Sequence, residues 1–306
     1  MGTDERDNLE IVLPENTKHL LKKHNINCNR SLGQNFLVDR EVLASLITAA
    51  DLEPEANVVE IGPGLGALTE AILQKLTQGK LLAVEKDIEL AGILQQELGS
   101  HPALEIIKGD ALELEWADIL QQREFISAGY TLMANLPYYI TSPVIRKFLE
   151  MKFSPDKMIL MVQKEVAERI TASPGGKDYG ILSIAVQYYC YPEIVEVVPA
   201  EAFLPAPEVE SAVLRLDLSQ APDYQVENEN LFFSIVRAMF QQRRKMLRNS
   251  LSKAREIDLK KDLVREALNQ ADIDERLRGE KLSLDRIVEL SNILNKMLEN
   301  ATGNGD

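Results

Sequence analysis

The chain has 306 residues, 45% of them apolar, and a formal net charge of −14 at pH 7. That length suggests two domains, and the apolar share is ordinary for a globular protein with a sizeable core. The only cysteines, Cys28 and Cys190, lie far apart in no metal-like spacing, which argues against a disulfide framework and a zinc site.

The N-terminus is acidic and lacks the apolar core of a secretion signal, and no apolar run reaches the length of a membrane span. A cytoplasmic protein is the default expectation, and nothing suggests an obligate dimer, so a monomer is expected. Residues 1–16 read as disordered or loosely docked. Asp39 is placed to cap a helix running through Ala50.

From there strands and helices alternate. The pattern predicts a strand at 57–61, a helix at about 67–76, a strand at 81–85 and a helix at 88–98. A strand at 104–107, a polar helical stretch and a strand ending at Asn135 follow. A helix at 143–151, a strand at 158–162 and a helix at 164–170 complete the series. Apolar strands at this spacing indicate an α/β fold: a Rossmann-like, doubly wound, mostly parallel sheet. Two later apolar runs, 194–198 and 209–216, are suited to an antiparallel hairpin closing that sheet.

Residues 219–230 are polar, contain Pro222 and lack periodicity, which marks a linker. Beyond it the pattern is helical at 231–240, 245–252, 260–269 and 283–298, with Ser283 as a cap. The expected organisation is therefore a domain at 1–220 and a small α-helical C-terminal domain at 221–306.

Four strand ends carry chemistry. Glu60-Ile-Gly62-Pro-Gly64-Leu-Gly66 follows the first strand of the alternating series and leads into a helix. Its glycines permit a sharp turn and close approach of a ligand, but their spacing is not that of the dinucleotide fingerprint, so a pyrophosphate is disfavoured. Glu85 ends the next strand, where an acid can accept hydrogen bonds from ribose hydroxyls. Asp110 follows the third and could accept from an adenine amino group. Ribose and adenine without a diphosphate describe S-adenosylmethionine. The fourth strand ends in Asn135-Leu136-Pro137-Tyr138, which offers an amide for an exocyclic amine and a ring for a base to stack on. Taken alone, that tetrapeptide fits a strand-end turn equally well.

Other polar residues carry less. His19, His24 and His101 read as surface residues, Trp116 as partly buried on an amphipathic helix. Glu60 suits either support of the glycine loop or a buried structural role. The acidic total argues against a nucleic-acid partner, but its distribution does not. Between Arg237 and Lys261 lie Arg243, Arg244, Lys245, Arg248, Lys253, Arg255 and Lys260, against Glu256 and Asp258. A solvated helix face is the common reading of one such run. Lys18, Lys22, Lys23 and Arg30 form a second, and two beside a base-handling site favour RNA or DNA.

Several segments resemble the KsgA (RsmA) family of ribosomal RNA adenine dimethyltransferases: Ser31-Leu-Gly-Gln-Asn35-Phe-Leu37, Glu60-Ile-Gly-Pro-Gly64, Asn135-Leu-Pro-Tyr138 and Gln163-Lys-Glu-Val166. So do Tyr179-Gly-Ile-Leu-Ser183, Phe203-Leu-Pro-Ala-Pro207-Glu-Val-Glu-Ser211 and Phe240-Gln-Gln-Arg-Arg-Lys245. The likeness runs from about Ser31 to the last helix, with the motifs in family order. It implies that Asn35 and Leu37 close over S-adenosylmethionine, that Gly62, with Gly64 beside it, meets its methionine part, and that Glu85 and Asp110 hold ribose and adenine. Asn135 then lies where donor and target amine meet. Many relatives carry Asn where this chain has Tyr139, which leaves any role for that side chain open.

The implied substrate is 16S rRNA within the small (30S) subunit or its precursor, dimethylated at two adjacent adenosines of the 3′-terminal hairpin. Asn135 and the Leu136 carbonyl would accept the two amine hydrogens, with Tyr138 and Phe203 covering the faces of a flipped-out base. Arg243, Arg244, Lys245 and Arg248 would hold RNA. No metal is expected. Alternatives are a large-subunit enzyme of the macrolide-resistance type and a mainly non-catalytic assembly factor. A DNA adenine or protein glutamine methyltransferase fits less well, because Leu136 stands where a second proline is usual.

Overall fold

The computed structural model describes residues 10–26, 34–241, 245–254, 257 and 259–303. In chain order the elements are α1 (Pro14–Lys23), β1 (Phe36–Leu37), α2 (Arg40–Ala50), β2 (Asn57–Ile61), α3 (Ala67–Lys75), β3 (Lys80–Glu85), α4 (Ile88–Glu97) and β4 (Leu104–Lys108). There follow α5 (Trp116–Gln122), α6 (Phe125–Ala128), β5 (Thr131–Asn135), α7 (Thr141–Glu150), β6 (Lys157–Gln163), α8 (Lys164–Ile170) and α9 (Ile181–Gln187). The last are β7 (Tyr191–Val198), β8 (Phe203–Leu204), β9 (Ser211–Asp217), α10 (Glu229–Gln241), α11 (Leu247–Ser252), α12 (Lys261–Gln270) and α13 (Leu284–Gly303).

The chain divides into two compact units, one of residues 1–167 with 191–220, the other of 168–190 with 221–306. The sequence places the boundary after residue 220 alone. The helical unit also claims 168–190, because Tyr179 and Ile184 are buried among Phe232, Val236, Leu268 and Leu290 of that unit's own core.

The first unit is built on a seven-stranded sheet ordered β4-β3-β2-β5-β6-β9-β7. Its first five strands are parallel, and β9 pairs antiparallel with both β6 and β7. The predicted hairpin is present, with β9 between its partner and the parallel strands. Val58, Val59, Glu60 and Ile61 on β2 are all buried, as are Leu132, Met133 and Ala134 on β5. Both sheet faces are therefore covered, which explains continuous apolar runs in place of alternation. One face packs Val58, Met133, Ile159, Met161 and Val213 against α2 and α3 through Leu43, Leu46 and Ile72. Asp39 caps α2 as expected, accepting from the amides of Glu41 and Val42.

β2 pairs with β3 on one side and with β5 on the other, so the strand order reverses there. An open α/β sheet leaves a crevice outside the carboxyl ends of its strands at such a point. The glycine loop and Asn135 end those two strands.

The N-terminal segment is ordered from Glu10 onward, contrary to the looseness expected of residues 1–16; residues 1–9 lie outside the described set. Ile11, Val12, Leu20 and Leu21 are buried, and Glu70 Oε2 accepts the amides of Glu10 at 3.2 Å and Ile11 at 3.0 Å. Burying four apolar side chains outweighs the polar composition that makes this stretch look loose. β1 and β8 pair antiparallel, Phe36 opposite Leu204 and Leu37 opposite Phe203. Trp116 is fully buried, its indole donating to the Ala111 carbonyl at 2.8 Å and its ring edge-on to Phe148.

In the helical unit, α10–α13 enclose a core of Phe232, Ile235, Met239, Leu251, Val264, Leu268, Ile287 and Leu294. Tyr188 stacks on Tyr224 and Phe232 beside it. Among the described residues no helix is long and apolar enough to cross a membrane.

Candidate active site

A cavity of about 410 Å³ opens at the carboxyl ends of β2, β3, β4 and β5. Its walls include Asn35, Leu37, Gly62, Gly64, Glu85, Asp110, Asn135, Leu136, Tyr138 and Phe203. These are all the cofactor and catalytic candidates that the sequence supplies, drawn together from positions 35 to 203. Ile11, Thr17, Gln34, Glu60, Lys86, Ile88 and Tyr139 line it as well. The volume lies within the usual range for small-ligand sites.

The glycine loop is held in a left-handed turn, Gly62 at φ 67° and Gly64 at φ 59°. A Cβ at Gly62 would meet nothing within 4 Å, whereas one at Gly64 would come within 3.3 Å of the Phe36 ring. The turn needs glycine for its backbone at both positions and for space at the second. Gly62 N–H donates to the Val84 carbonyl at 2.9 Å, which ties the loop to β3.

Glu85 is buried, and its two oxygens are fixed by backbone amides. Oε2 accepts from Gly64 at 3.0 Å and Oε1 from Asp87 at 2.8 Å. Burial raises its pKa, and those two hydrogen bonds pull the other way. The Lys86 amide acts on the same carboxylate, and the remaining acceptor capacity is available to a hydroxyl donor. Asp110 is engaged more fully than its assigned role assumes. Oδ1 accepts from the Leu112 amide at 2.9 Å, and Oδ2 takes the Lys86 ammonium at 2.7 Å. Lys86 holds the Asp110 carboxyl below its ordinary range. An adenine amine would share or displace that ammonium, whose side chain is 67% exposed.

Asn135 Nδ2 donates to the Asn35 carbonyl at 3.2 Å. With one of its two N–H donors so held, the amide is oriented and its oxygen is available to accept from a ligand. The Tyr138 hydroxyl shares a 2.8 Å hydrogen bond with Ser211 Oγ, which anchors the half-buried ring in the cavity wall. Phe203 is buried in β8 opposite Leu37. Tyr139 is 57% exposed at the rim, as is Ile88 at 73%.

Glu60 has a more specific place than either reading of the sequence gives it. It is 1% exposed, Oε2 accepts from Thr69 Oγ1 at 2.7 Å, and Oε1 is buried without a hydrogen-bond partner. Burial pushes its carboxyl up to about 8, against the Thr69 hydrogen bond, and the Glu85 carboxylate adds to the rise. Among the described residues, the cavity is lined by five acids, Glu60, Glu85, Asp87, Glu89 and Asp110, and one base, Lys86. That balance suits a ligand of net positive charge, and the open side of Gly62 suits one that lies close to the backbone. S-adenosylmethionine, a cation with an adenosine at one end, fits both.

Of the RNA-binding candidates, Arg243 and Arg244 lie outside the described residues. Lys245 is exposed. Arg248 is only 22% exposed, and its guanidinium pairs with Glu275, which also takes Arg265 at 3.2 Å. It is committed to the packing of the helical unit, so its expected part in holding RNA gains no support. No grouping of His, Cys, Asp and Glu able to hold a metal is found among the described residues.

A doubly wound sheet with this crevice, glycine loop and acid-lined cavity defines a class I, S-adenosylmethionine-dependent methyltransferase. Comparison with known proteins narrows the class. The family model for ribosomal RNA adenine dimethylase matches residues 25–296. A small-subunit ribosomal RNA methyltransferase A from Halothermothrix orenii is 45% identical over 284 residues, covering 93% of this chain and 94% of its own. Among solved structures, a Plasmodium falciparum dimethyladenosine transferase shares the fold at a TM-score of 0.71 and 24% identity, over 85% of this chain and 98% of its own. The 23S rRNA methyltransferase ErmE aligns at 0.64 and 26% identity, over 85% of this chain and 100% of its own. The chain belongs to the ribosomal RNA adenine dimethylase family, and its cofactor is S-adenosylmethionine.

Proposed function

We propose that this enzyme dimethylates N6 of two adjacent adenosines in the 3′-terminal hairpin of small-subunit rRNA, within the 30S subunit or its precursor, as a cytoplasmic monomer. The observation that carries the reading is the oriented amide of Asn135. Its nitrogen is bound to Asn35 and its oxygen is left as an acceptor in the cavity that holds Glu85 and the glycine loop.

When bound, the cofactor supplies an electrophilic methyl group on a sulfonium, so the protein has no nucleophile to activate by deprotonation. Its task is to orient a weakly nucleophilic aromatic amine. Asn135 Oδ1 and the Leu136 carbonyl accept the two amine hydrogens, which draws the nitrogen lone pair out of conjugation and toward the donor. Tyr138, fixed through Ser211, and Phe203 supply stacking surfaces for the extruded base. Proximity and alignment account for most of the acceleration. Glu85 and Asp110 hold the adenosine of the cofactor, Gly62 and Gly64 its methionine end, and Asn35 and Leu37 close over it. Arg243, Arg244 and Lys245 contribute charge for the RNA backbone.

The likeness to the small-subunit enzyme covers nearly the whole of both chains, at higher identity than the likeness to ErmE. Offering undermethylated small-subunit particles and free large-subunit RNA to the same enzyme separates the two substrates. Methyl incorporation confined to the particles is expected, and incorporation into the large-subunit RNA alone overturns the assignment.

A further inference from the structure

Glu60 is the buried titratable group of the cavity that the transfer chemistry leaves unused. Its Oε1 has no hydrogen-bond partner, although a buried carboxylate ordinarily requires compensation. Among the described residues no cationic side chain acts on it: α2, packed on the same sheet face, brings Arg40, which acts on Glu70, and Glu41. β5 carries no titratable side chain. β3 brings Glu85 at its carboxyl end and Lys80 at the opposite end. α3 brings Glu70, engaged with the amides of Glu10 and Ile11, and Lys75 in its last turn. Lys86, the basic residue of the described lining, is paired with Asp110. The charged neighbour that acts on Glu60 is Glu85, which disfavours a second negative charge.

The methyl donor carries one net positive charge, from a sulfonium and an ammonium against one carboxylate. The demethylated by-product has lost the sulfonium and is neutral overall. A buried carboxyl that lines the cavity therefore faces one more positive charge before methyl transfer than after it. Opposite charge within a few ångströms favours the ionised form, and its removal restores the penalty of burial.

We propose that Glu60 is a specificity residue that senses the charge of the bound cofactor: it releases its proton to solvent when the cationic donor binds and takes one back when the neutral by-product remains. The balance is simple. Donor binding releases one proton from Glu60. Methyl transfer releases one from the adenine amine, as the N–H bond breaks and the N–CH₃ bond forms. Glu60 then recovers one from solvent, which weakens the hold on the spent cofactor relative to fresh donor. Thr69 remains hydrogen-bonded in both states, as acceptor from the protonated acid or donor to the carboxylate. The inference rests on the assignment of S-adenosylmethionine to this cavity.

The test is calorimetric titration of the full chain with S-adenosylmethionine and, separately, S-adenosylhomocysteine, in buffers of different ionisation enthalpy between pH 6 and 7.5. A carboxyl titrating near 8 should release close to one proton per donor bound at pH 7, about 0.9 by simple linkage, and almost none for the by-product. Donor affinity should rise at least roughly tenfold across that range. Glu60→Gln keeps the shape and a hydrogen bond to Thr69, and should abolish both the proton release and the donor's pH dependence while sparing by-product affinity. Equal proton release for the two ligands, or an unchanged pH dependence in Glu60→Gln with native circular dichroism, overturns the proposal. If the wild-type chain binds neither ligand, the cofactor assignment itself fails, a different result from binding without proton release.

Discussion

The side-chain amide of Asn135 donates to the backbone carbonyl of Asn35 at 3.2 Å, a hydrogen bond that spans a hundred positions of sequence. It joins the end of the central strand β5 to the segment that leads into β1. Through β1 the same segment pairs with β8, which carries Phe203. The acceptor amide, the segment beside the cofactor cavity and one aromatic wall thus form one connected unit. A disturbance at any of them should be felt at the other two.

Gly64 tests the cofactor loop. At φ 59° an alanine costs about 1–2 kcal/mol of backbone strain, before its Cβ presses on Phe36 at 3.3 Å. Gly64→Ala should therefore weaken S-adenosylmethionine binding by roughly tenfold, measured by calorimetry. Gly92, within α4, is the control, because a methyl group added there would meet nothing within 4 Å. Gly92→Ala should raise stability by about 0.5–1 kcal/mol without changing affinity.

Stability should depend on pH through Glu60. Its pKa in the folded chain lies above the ordinary 4.5, at about 8, so the folded state binds the extra proton between those values. Stability is then greatest below the lower value and falls as pH rises toward the upper one. A full shift of that size corresponds to roughly 5 kcal/mol. Burial raises Glu70 and Glu85 as well, which adds to the same trend. The melting temperature of the cofactor-free chain should fall between pH 5 and pH 8.5, and less steeply in Glu60→Gln. Parallel curves would show that Glu60 does not titrate in this range.

Glu70 fastens the N-terminal segment. Glu70→Ala removes the acceptor for the Glu10 and Ile11 amides, at a cost of about 1–2 kcal/mol. Tryptic cleavage at Lys18, Lys22 and Lys23 in α1 should become several-fold faster, while the melting of the sheet changes little. Unchanged cleavage would mean that Ile11, Val12, Leu20 and Leu21 hold the segment by burial alone.

The basic cluster divides into two kinds of residue. Replacing Arg243, Arg244 and Lys245 by Gln should weaken RNA binding and flatten its salt dependence by about 0.7–0.9 in log–log slope for each phosphate no longer neutralised. Arg248→Gln should instead leave Glu275 with Arg265 as its remaining partner and lower stability with little change in slope. An unchanged slope in the triple variant would remove those three side chains from the interface.

The parallel strands were legible because both faces of the sheet are buried, which leaves unbroken apolar runs such as Leu81–Val84 ending at informative residues. The site was legible for the same reason: Glu85, Asp110 and Asn135 sit at or just past strand ends, where the chain order of the fold brings them together. What escaped depends on distant partners. β1 and β8 are two residues each and exist through the pairing of Phe36 with Leu204. The segment leading into α1 is held by Glu70, far along the chain, and the place of 168–190 follows from the burial of Tyr179 among helices that come later. The Lys86–Asp110 pair crosses from the end of β3 to the residues after β4, and no local pattern signals it.

The central claim is that Asn135 orients adenine N6 for transfer. Its most direct test is mass analysis of small-subunit RNA after undermethylated particles are incubated with isotopically labelled S-adenosylmethionine and either the wild-type chain or Asn135→Ala. Wild type should yield N6,N6-dimethyladenosine at two adjacent positions, and the variant less than a hundredth of the wild-type rate, about 3 kcal/mol of lost transition-state stabilisation, with RNA binding nearly intact. Dimethylation by Asn135→Ala within a few-fold of wild type would contradict the account.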